Sequence, residues 1–502
     1  MLNLVDLGGR PFHFIGIGGI GMSALAYVLT KRNLPVSGSD LCLNDITKRL
    51  QEQGAHIFWN QEAANLEFFE PAVPAVVHEA AQTQPPYNQV KLPTLPQVIC
   101  STAINPNNVE YRAALEMGCP IFHRSDLLAA LMMEYQGIAV AGTHGKTTTS
   151  SMIGYMLLQA GLDPTIIVGG EVHAWGGNAR VGNGVYLVAE ADESDGSLAK
   201  LSAQIGVVTN IELDHPDHYA SLDEVVQIFQ TFEQNCKTLV ACVDSDAVRR
   251  SLHPTITYSL DPERHADYTA DQIQYGAEGI TARVWERGQP LGYISLQLLG
   301  SHNLSNALAA IAVGRLAGVS FDAIAAALAT FEGARRRFER RGSHYGILFV
   351  DDYAHHPSEI QATLSAARLR LQSFPQNQRR VVAVFQPHRF SRTQTFLKEF
   401  AQSFGDADLV VTTEIYSAGE PNLGTVNGAM LADAIALNHA NSFYQPTLAE
   451  MTEFLRTALR PGDLVLFLGA GNLNRIIPEL TAYYAQLEQE QLVPEADPAL
   501  VK

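Results

Sequence analysis

The sequence is poor in cysteine and contains no closely spaced cysteine pair. Its five cysteines are odd in number and widely separated: Cys42, Cys100, Cys119, Cys236 and Cys242. Without a C-x-x-C pair, neither a zinc ribbon nor a disulfide framework is indicated. We expect scattered reduced thiols, as in proteins of the cytoplasm.

The chain also lacks an excess of positive charge and any long apolar run. Its 34 lysines and arginines are outnumbered by 52 aspartates and glutamates, which gives a formal net charge of −18. Such a surface repels nucleic acid and anionic lipid, although a locally basic pocket can still bind nucleotides. No apolar stretch approaches the roughly 18 residues of a spanning helix, and no basic segment followed by an apolar run begins the chain. We therefore predict a cytoplasmic protein with no nucleic-acid partner and no membrane insertion.

What the chain has instead is a series of short apolar runs that alternate with helical patterns. At roughly 150 residues per domain, 502 residues predict about three domains. Runs that are apolar on both faces are typical of buried parallel strands, and their alternation with helices predicts an α/β fold with mostly parallel sheets. The predicted strands are Phe12–Ile15, Ile138–Ala141, Tyr186–Ala189, Ile205–Val208, Val381–Phe385 and Leu464–Leu468, and the clearest helices are Ser305–Leu316 and Glu359–Leu371. The expected domains are residues 1–136, 137–341 and 342–502.

A glycine-rich loop follows the predicted strand at residues 138–141 and precedes a helical pattern expected to begin near Ser150. It consists of Gly142, Thr143, His144, Gly145, Lys146, Thr147 and Thr148. Backbone N–H groups at such a turn bind phosphate oxygens, with Lys146 reaching the terminal phosphates and Thr147 a magnesium ion. The first glycine of the usual phosphate-loop pattern is replaced by Val140, so this loop starts later, at Gly142. An ordinary strand-to-helix turn is the alternative.

Two further predicted strands end in acidic sequence. Residues 190–195 read Glu-Ala-Asp-Glu-Ser-Asp, and residues 211–215 read Ile-Glu-Leu-Asp-His. Ligands of open α/β sheets lie at the carboxyl ends of the strands, and carboxylates beside phosphates require Mg²⁺ between them. The alternatives are a solvated loop for the acidic run and a structural role for His215.

An N-terminal loop, Gly16-Ile17-Gly18-Gly19-Ile20-Gly21, matches G-x-G-x-x-G, and Asp40 follows it by about 20 residues. This turn recognises a pyrophosphate, which both a dinucleotide and a UDP-sugar carry. It therefore favours an NAD-linked oxidoreductase and a UDP-sugar-binding protein equally. Only the phosphate loop of residues 142–148 distinguishes these two classes of protein, because a dehydrogenase has no use for an ATP site.

In combination, these motifs resemble those of the Mur ligase family over nearly the whole chain. The segments that carry the resemblance are residues 142–148, 190–195, 209–215, 300–303, 336–339, 351–357, 385–390 and 469–472. The resemblance implies a Rossmann-like UDP-binding domain, a central phosphate-loop ATPase domain and a Rossmann-like third domain that closes over ATP and the amino acid.

The resemblance also implies an activity. The protein would use ATP to form an amide between the carboxylate of UDP-N-acetylmuramic acid and L-alanine, through an acyl phosphate. This reaction belongs to peptidoglycan precursor synthesis. The cofactors would be ATP and Mg²⁺, with two magnesium ions expected. We expect a monomer or a weak homodimer. A related ligase that attaches a tripeptide to the same UDP-sugar, and a catalytically silent binding protein, are the remaining alternatives.

Residue roles are implied by the same resemblance. Lys146, His215, Arg337 and Asp352 would be catalytic, and Thr147, Glu190 and His215 would hold metal. Besides residues 142–148, the ATP-binding residues would be His302, Asn303, Asn306, Arg337 and Asp352. The UDP-sugar would contact Gly16, Gly18, Gly19, Ile20, Gly21, Ser39, Asp40, Ser101, Thr102, Ala103, His123 and Arg124. The acyl and amino-acid end would meet Glu193, Ser194, His355, His356, Arg389 and Arg392. The structural alternatives are a solvated basic helix face at residues 335–337 and 340–341 and a strand cap at residues 388–389. The general base is left open among His215, His355 and His356.

Overall fold

Three sheets, each flanked by helices, follow one another along the chain. The computed structural model describes residues 4–42, 44–69, 95–216, 218–372 and 379–492. Most of the strand pairs are parallel, which confirms the predicted α/β class and its three parts. Within the described residues, no helix combines the length and the hydropathy needed to cross a membrane.

The first sheet has five strands, all parallel. Its strands are β1 (Phe12–Ile15), β2 (Val36–Ser39), β3 (His56–Phe58), β4 (Gln97–Cys100) and β5 (Ile121–His123). Its helices are α1 (Ile20–Lys31), α2 (Asp45–Glu52), α3 (Val109–Glu116) and α4 (Arg124–Met132). The strand order β3-β2-β1-β4-β5 changes direction at β1, so the loops after β1 and β4 open beside each other at the carboxyl edge, where ligands bind.

The second sheet has ten strands. They are β6 (Gln136–Ala141), β7 (Thr165–Val172), β8 (Gly177–Arg180), β9 (Tyr186–Glu190), β10 (Ala203–Val208), β11 (Cys236–Cys242), β12 (Ile256–Ser259), β13 (Tyr268–Gly276), β14 (Gly279–Glu286) and β15 (Gln289–Leu296). The accompanying helices are α5 (Lys146–Gln159), α6 (Leu222–Gln234), α7 (Asp246–Ser251), α8 (Ser301–Leu316) and α9 (Phe321–Ala329). The order β15-β14-β13-β12-β11-β10-β6-β9-β7-β8 puts β6, β9 and β10 side by side in its centre.

The third sheet has six strands in the order β16-β17-β21-β18-β19-β20. They are β16 (Glu339–His344), β17 (Ile347–Asp352), β18 (Val381–Phe385), β19 (Leu409–Thr412), β20 (Ser442–Tyr444) and β21 (Leu464–Leu468). The helices are α10 (Pro357–Gln372), α11 (Phe390–Thr395), α12 (Leu397–Ala401), α13 (Gly428–Ala436), α14 (Leu448–Ala458) and α15 (Ile477–Leu492). Only β16 pairs antiparallel, with β17.

Two details differ from the sequence-based expectation. Helix α5 begins at Lys146, not near Ser150, so its first turn closes directly on the glycine loop. Strands β13, β14 and β15 form an antiparallel meander at one edge of the central sheet, where no strands had been predicted. Its alternating buried and exposed residues are those of a half-solvated edge, in contrast to the fully buried parallel strands.

The core of the central domain brings the two helices of the predicted nucleotide site together. Helices α5 and α8 share one apolar cluster, in which Met156 of α5 and Leu308 of α8 are fully buried. A Cβ atom at Gly314 would lie 2.5 Å from the sulfur of Met156, so the helices approach closely. This packing holds the start of α8, with Asn303 and Asn306, beside the glycine loop.

Candidate functional site

The loop after β1 lies at the carboxyl edge of the first sheet. Its backbone is held by Asp40, whose Oδ2 accepts a hydrogen bond from Gly18 N at 2.8 Å, and by the carbonyl of Ser39, which accepts from Gly16 N at 2.8 Å. The hydroxyl of Ser39 is buried and donates to Glu110 Oε2 at 2.5 Å. Ser39 and Asp40 therefore already support the loop itself.

Two other predicted UDP-sugar residues connect the first domain to the central one. Arg124 donates to Asp192 Oδ2 at 2.8 Å and to Asp195 Oδ2 at 3.3 Å, and His123 Nε2 lies 3.4 Å from Asp195 Oδ2. Burial lowers the pKa of His123, although Asp195 opposes this shift. The loop after β9 is thus joined to the edge of the first sheet by a cation and a histidine.

The glycine loop after β6 has the backbone that an anion cradle needs. Gly142 has φ 137° and Gly145 has φ 83°, both in the region that favours glycine. A Cβ atom at Gly142 would lie 2.0 Å from Thr209 Oγ1, and one at Gly145 would lie 2.8 Å from Asn306 Oδ1. Gly145 caps α5, so the free N–H groups of its first turn point out of the loop.

Lys146 folds back over this loop. Its Nζ donates to Gly142 O at 2.7 Å, to Thr143 O at 3.2 Å and to Glu193 Oε1 at 3.0 Å. Burial alone would lower the pKa of Lys146, but the neighbouring carboxylates of Glu193 and Asp192 raise it above its usual range. Lys146 is therefore a fixed positive charge at the mouth of the cradle.

Thr147 and Glu190 bring a hydroxyl and a carboxylate together beside the lysine. The Thr147 hydroxyl donates to Glu190 Oε2 at 2.9 Å, and Gly169 N donates to the same oxygen at 2.7 Å. Glu190 is the last residue of β9, which lies next to β6 in the sheet. These oxygens are ligands of the type that Mg²⁺ prefers.

The segment after β10 fastens the other side of the loop. Asn210 Oδ1 accepts from His144 N at 2.8 Å, and Thr143 Oγ1 accepts from Glu212 N at 2.8 Å. His144 in turn faces two carboxylates, with Nδ1 at 3.2 Å from Glu359 Oε1 and Nε2 at 3.4 Å from Glu212 Oε2. Glu359 belongs to α10, so His144 connects the loop to the third domain.

His215 follows the same strand with φ 56°. Its Nε2 lies 3.6 Å from Asp214 Oδ2. Burial lowers the pKa of His215 and favours the neutral ring, which is the form that binds a metal or accepts a proton. Burial alone would raise the pKa of Asp214, but Arg392 holds it well below its usual range.

A cavity of about 870 Å³ separates the loop from the third domain. Its lining includes these residues of the predicted site: His144, Gly145, Thr148, His302, Asn303, Asn306, Arg337, Asp352 and His356. Asn303 donates to Leu299 O at 2.7 Å, and Asn306 donates to Asn303 Oδ1 at 3.3 Å, so both amides are oriented from within α8.

An acid of the third domain and a cation at the end of the central domain line this cavity. Asp352, at the end of β17, accepts from Phe338 N at 2.7 Å and Ala354 N at 2.8 Å. Burial raises the pKa of Asp352 to about 6. The guanidinium of Arg337 lies 5.2 Å from the centre of the Tyr353 ring and 3.8 Å from Glu359 Oε1.

Other predicted residues of the third domain lie outside the lining of this cavity. His355 Nδ1 lies 2.9 Å from Tyr353 O, and Arg389 Nη1 donates to Glu420 Oε1 at 3.3 Å. Arg392 is buried and bonded to Asp214, which leaves it no exposed face.

Several residues of the site were not singled out from the sequence. Glu212 and Glu359 hold His144, and Asn210 holds the loop backbone, whereas Glu420 holds Arg389. Glu212 was detectable from its place after β10. Glu359 was not, because an acidic residue in the first turn of a helix is ordinarily a favourable partner of the helix dipole.

Comparison with known proteins gives a match along most of the chain. Three family models align with successive segments: "Mur ligase family, catalytic domain" with residues 11–136, "Mur ligase middle domain" with residues 140–314, and "Mur ligase, glutamate ligase domain" with residues 336–471.

Curated relatives are similar over nearly their whole length. A UDP-N-acetylmuramate–L-alanine ligase of Nostoc punctiforme is 64% identical over 97% of this chain and 99% of its own. A protein of the same name from Synechococcus elongatus is 61% identical over 96% of this chain and 98% of its own.

Solved structures share the fold. UDP-N-acetylmuramate–alanine ligase of Thermotoga maritima superposes with a TM-score of 0.77 at 27% identity, covering 95% of this chain and 99% of that one. A murein peptide ligase of Psychrobacter arcticus gives a TM-score of 0.67 at 23% identity, covering 95% of this chain and 99% of that one. At that identity the second likeness describes the fold alone.

Proposed function

Because the chain belongs to the Mur ligase family, we propose that it joins L-alanine to the carboxylate of UDP-N-acetylmuramic acid while ATP becomes ADP and phosphate. The observation that carries the proposal is a set of contacts around the acidic loop after β9. Arg124 of the first domain donates to Asp192 of this acidic loop, and Lys146 of the phosphate loop donates to Glu193 of the same acidic loop. Gly145 and Thr148 of the phosphate loop line the cavity that faces the third domain. Relatives above 60% identity that bear this activity in their names support it. The reaction belongs to peptidoglycan precursor synthesis, and its nucleotide substrates support a cytoplasmic location.

The central domain binds ATP in this proposal. The N–H groups at the start of α5 and the ammonium of Lys146 bind the phosphates, because both present positive charge to an anion. His302, Asn303 and Asn306 contact the adenosine from α8, and Arg337 and Asp352 approach the nucleotide from the other wall of the cavity. An oxidoreductase does not need this second site.

The residues around Thr147 fit a magnesium ion. Thr147 and Glu190 offer oxygen ligands within hydrogen-bonding distance of each other, and His215 offers a neutral nitrogen for a second ion. Bound Mg²⁺ neutralises phosphate charge and polarises the bond to the leaving ADP. Two ions are our proposal.

The reaction needs an activated carboxylate, because oxide is a poor leaving group. A carboxylate oxygen of the muramoyl group attacks the terminal phosphorus of ATP, ADP departs, and an acyl phosphate forms. Lys146 and Arg337 stabilise the negative charge on the transferred group. The neutral amine of L-alanine then attacks the acyl carbon, phosphate leaves and the amide remains.

The amine must lose a proton during this attack. Burial lowers the pKa of His215 and lowers that of His356 to about 4, so both rings are neutral near pH 7 and able to accept it. His355 is the third candidate. Glu193, Ser194, His355, His356 and Arg389 serve the acyl and amino-acid end, whereas Arg392 acts as a positioning residue through Asp214.

The first domain, residues 1–136, binds the UDP-sugar. The pyrophosphate of the UDP-sugar contacts the loop of Gly16, Gly18, Gly19, Ile20 and Gly21. His123 and Arg124 face the muramoyl end, since they touch the acidic loop beside Lys146. Residues 137–341 form the ATP-binding domain and residues 342–502 the closing domain, in a monomer or weak homodimer.

The proposal is tested by phosphate release from ATP with Mg²⁺ and UDP-N-acetylmuramic acid. L-Alanine, a tripeptide or no acceptor is added in parallel. Release that requires L-alanine supports the proposal, and release that requires the tripeptide replaces its acceptor. No release from a folded sample overturns it.

A further inference from the structure

Three side chains of the types that ligate metal ions converge at the boundary of the central and third domains, and none of them is one of the proposed magnesium ligands Thr147, Glu190 and His215. They are His144 of the glycine loop, Glu212 after β10 and His356 before α10. One candidate ligand atom from each lies within 4.8 Å of the other two. His144 Nε2 lies 3.4 Å and His356 Nδ1 lies 3.9 Å from the same oxygen, Glu212 Oε2.

We propose that His144, Glu212 and His356 form a binding site for a divalent ion of the zinc class, which joins the third domain to the phosphate loop. Tetrahedral zinc with bonds of about 2.0–2.2 Å holds its ligand atoms about 3.3–3.6 Å apart. Two of the observed separations are close to this value. The ligand atoms of His144 and His356 lie within 4.8 Å of each other, so small side-chain rotations complete the set.

The surroundings of the three ligands are those of a metal site. Glu359 Oε1 lies 3.2 Å from His144 Nδ1, which orients the ring and leaves Nε2 toward Glu212. Ser358 donates to Glu212 Oε2 at 2.7 Å. Such carboxylate and hydroxyl partners fix the orientation of metal ligands. His356 is 4% exposed. Its Nδ1, which lies 3.9 Å from Glu212 Oε2, accepts a long hydrogen bond from Ser358 N at 3.4 Å, and its buried Nε2 has no partner among the described residues.

The ligand set separates this ion from the magnesium of the proposed reaction. Two imidazoles and one carboxylate are the ligands of many zinc sites and leave a fourth position for water or an anion. Mg²⁺ prefers oxygen ligands, which Thr147 and Glu190 supply. His144, Glu212 and His356 all line the cavity of about 870 Å³ between the glycine loop and the third domain.

The test uses the full chain, freed of metal with a chelator and kept without nucleotide. Zn²⁺ is titrated by calorimetry, and Co²⁺ is added as a coloured probe of tetrahedral coordination. We expect one tight equivalent of Zn²⁺ and a tetrahedral Co²⁺ spectrum. His356→Gln and Glu212→Gln should each weaken binding at least about tenfold.

Two controls make the result specific. His253→Gln, an exposed histidine of the central domain, should leave the affinity unchanged, and so should His215→Gln in the proposed magnesium site. If His356→Gln does not fold, His144→Gln tests the site from the other domain. Absence of a tight equivalent, or unchanged affinity in folded ligand variants, overturns the proposal and leaves an ion-pair network only. Because no nucleotide is present, this result is independent of the phosphate-release assay.

Discussion

Arg392 of the third domain donates two hydrogen bonds to one carboxylate oxygen of Asp214 in the central domain, from Nε at 2.9 Å and from Nη2 at 2.7 Å. The same oxygen accepts from His215 N at 2.7 Å. Both side chains are almost completely buried, with 2% and 6% exposed. The two domains therefore share a desolvated ion pair directly beside a candidate metal ligand.

Arg392→Met removes the cation from this pair and leaves Asp214 ionised and buried. We expect the free energy of unfolding to fall by about 3–5 kcal/mol. Urea unfolding measures the loss. Arg340→Met, which breaks an exposed pair with Glu278, is the control and should cost about 1 kcal/mol or less. Equal losses would show that burial of the Asp214 pair is not the cause.

Lys146→Ala should abolish ATP-dependent phosphate release and leave UDP-sugar binding nearly unchanged. The reason is that Lys146 contacts the phosphate loop and Glu193, whereas the glycine loop of the first domain is held by Asp40. Phosphate release and calorimetry with the UDP-sugar measure the two functions. Lys237→Ala, at an exposed lysine, serves as control. Loss of both phosphate release and UDP-sugar binding in Lys146→Ala would contradict the prediction.

Gly142→Ala should destroy nucleotide binding without unfolding the chain. Its φ of 137° is unfavourable for alanine, and the added Cβ would lie 2.0 Å from Thr209 Oγ1, so the loop must move. Fluorescence titration with an ATP analogue measures the affinity, and circular dichroism checks the fold. Gly405→Ala, where a Cβ meets nothing within 4 Å, should bind normally. Normal binding by Gly142→Ala would mean that the loop adapts.

The stability of the protein should depend on the protonation of His388. Burial lowers the pKa of His388 to about 3 from 6.5, with His355 and Arg392 acting in the same direction. Asp214 opposes the shift. Between pH 6.5 and about 3 the unfolded chain therefore binds a proton here that the folded chain does not, so stability falls as the pH drops through this window.

His388→Gln should make the free energy of unfolding less dependent on pH in that window. The variant lacks the one proton that the unfolded chain takes up at His388. The slope of the free energy of unfolding against pH should therefore decrease by up to about 1.4 kcal/mol per pH unit. Urea unfolding at several pH values between 6 and 4 measures it, with His253→Gln as the exposed control. An unchanged slope would mean that His388 is protonated in the folded state.

The tip of the β13–β14 hairpin joins the third domain at a second point. Arg370 donates to Glu278 Oε1 at 2.8 Å and to the carbonyl of Ala277, and Arg340 donates to Glu278 Oε2 at 2.9 Å. Glu278→Ala should cost about 1 kcal/mol or less, because its side chain is exposed. Arg370→Ala should cost more, since the buried stem and the carbonyl contact are also lost. A double-mutant cycle with both substitutions separates the energy of the Arg370–Glu278 pair from that of the other Arg370 contacts. A larger cost for Glu278→Ala than for Arg370→Ala would contradict this prediction.

The strands were the most predictable part of the fold. Val381–Phe385 and Leu464–Leu468 were predicted at their observed bounds, because a strand buried on both faces is apolar throughout. The start of α5 was not predictable in this way. Its first turn contains Thr147, Thr148 and Thr149, which have low helix propensity, and it is stabilised by burial against the central sheet.

The site was predictable where its residues follow strands directly. Gly142 directly follows β6, Glu190 is the last residue of β9, and His215 lies in the segment after β10. These three strands are neighbours in the sheet. Contacts between two domains cannot be recognised in the sequence in this way. The sequence indicated neither that Glu359 would face His144 nor that Arg392 would be buried against Asp214, because both depend on how the domains lie together.

The three hydrogen bonds of the Lys146 ammonium, to Gly142 O, Thr143 O and Glu193, use all of its donors. In the proposed reaction a phosphate oxygen that bonds to this ammonium therefore displaces one of the three partners, and Glu193 is the only one of the three that is a carboxylate. The loss of this hydrogen bond lowers the net affinity for the nucleotide. We expect the Lys146 ammonium to bond to Glu193 again when ADP departs.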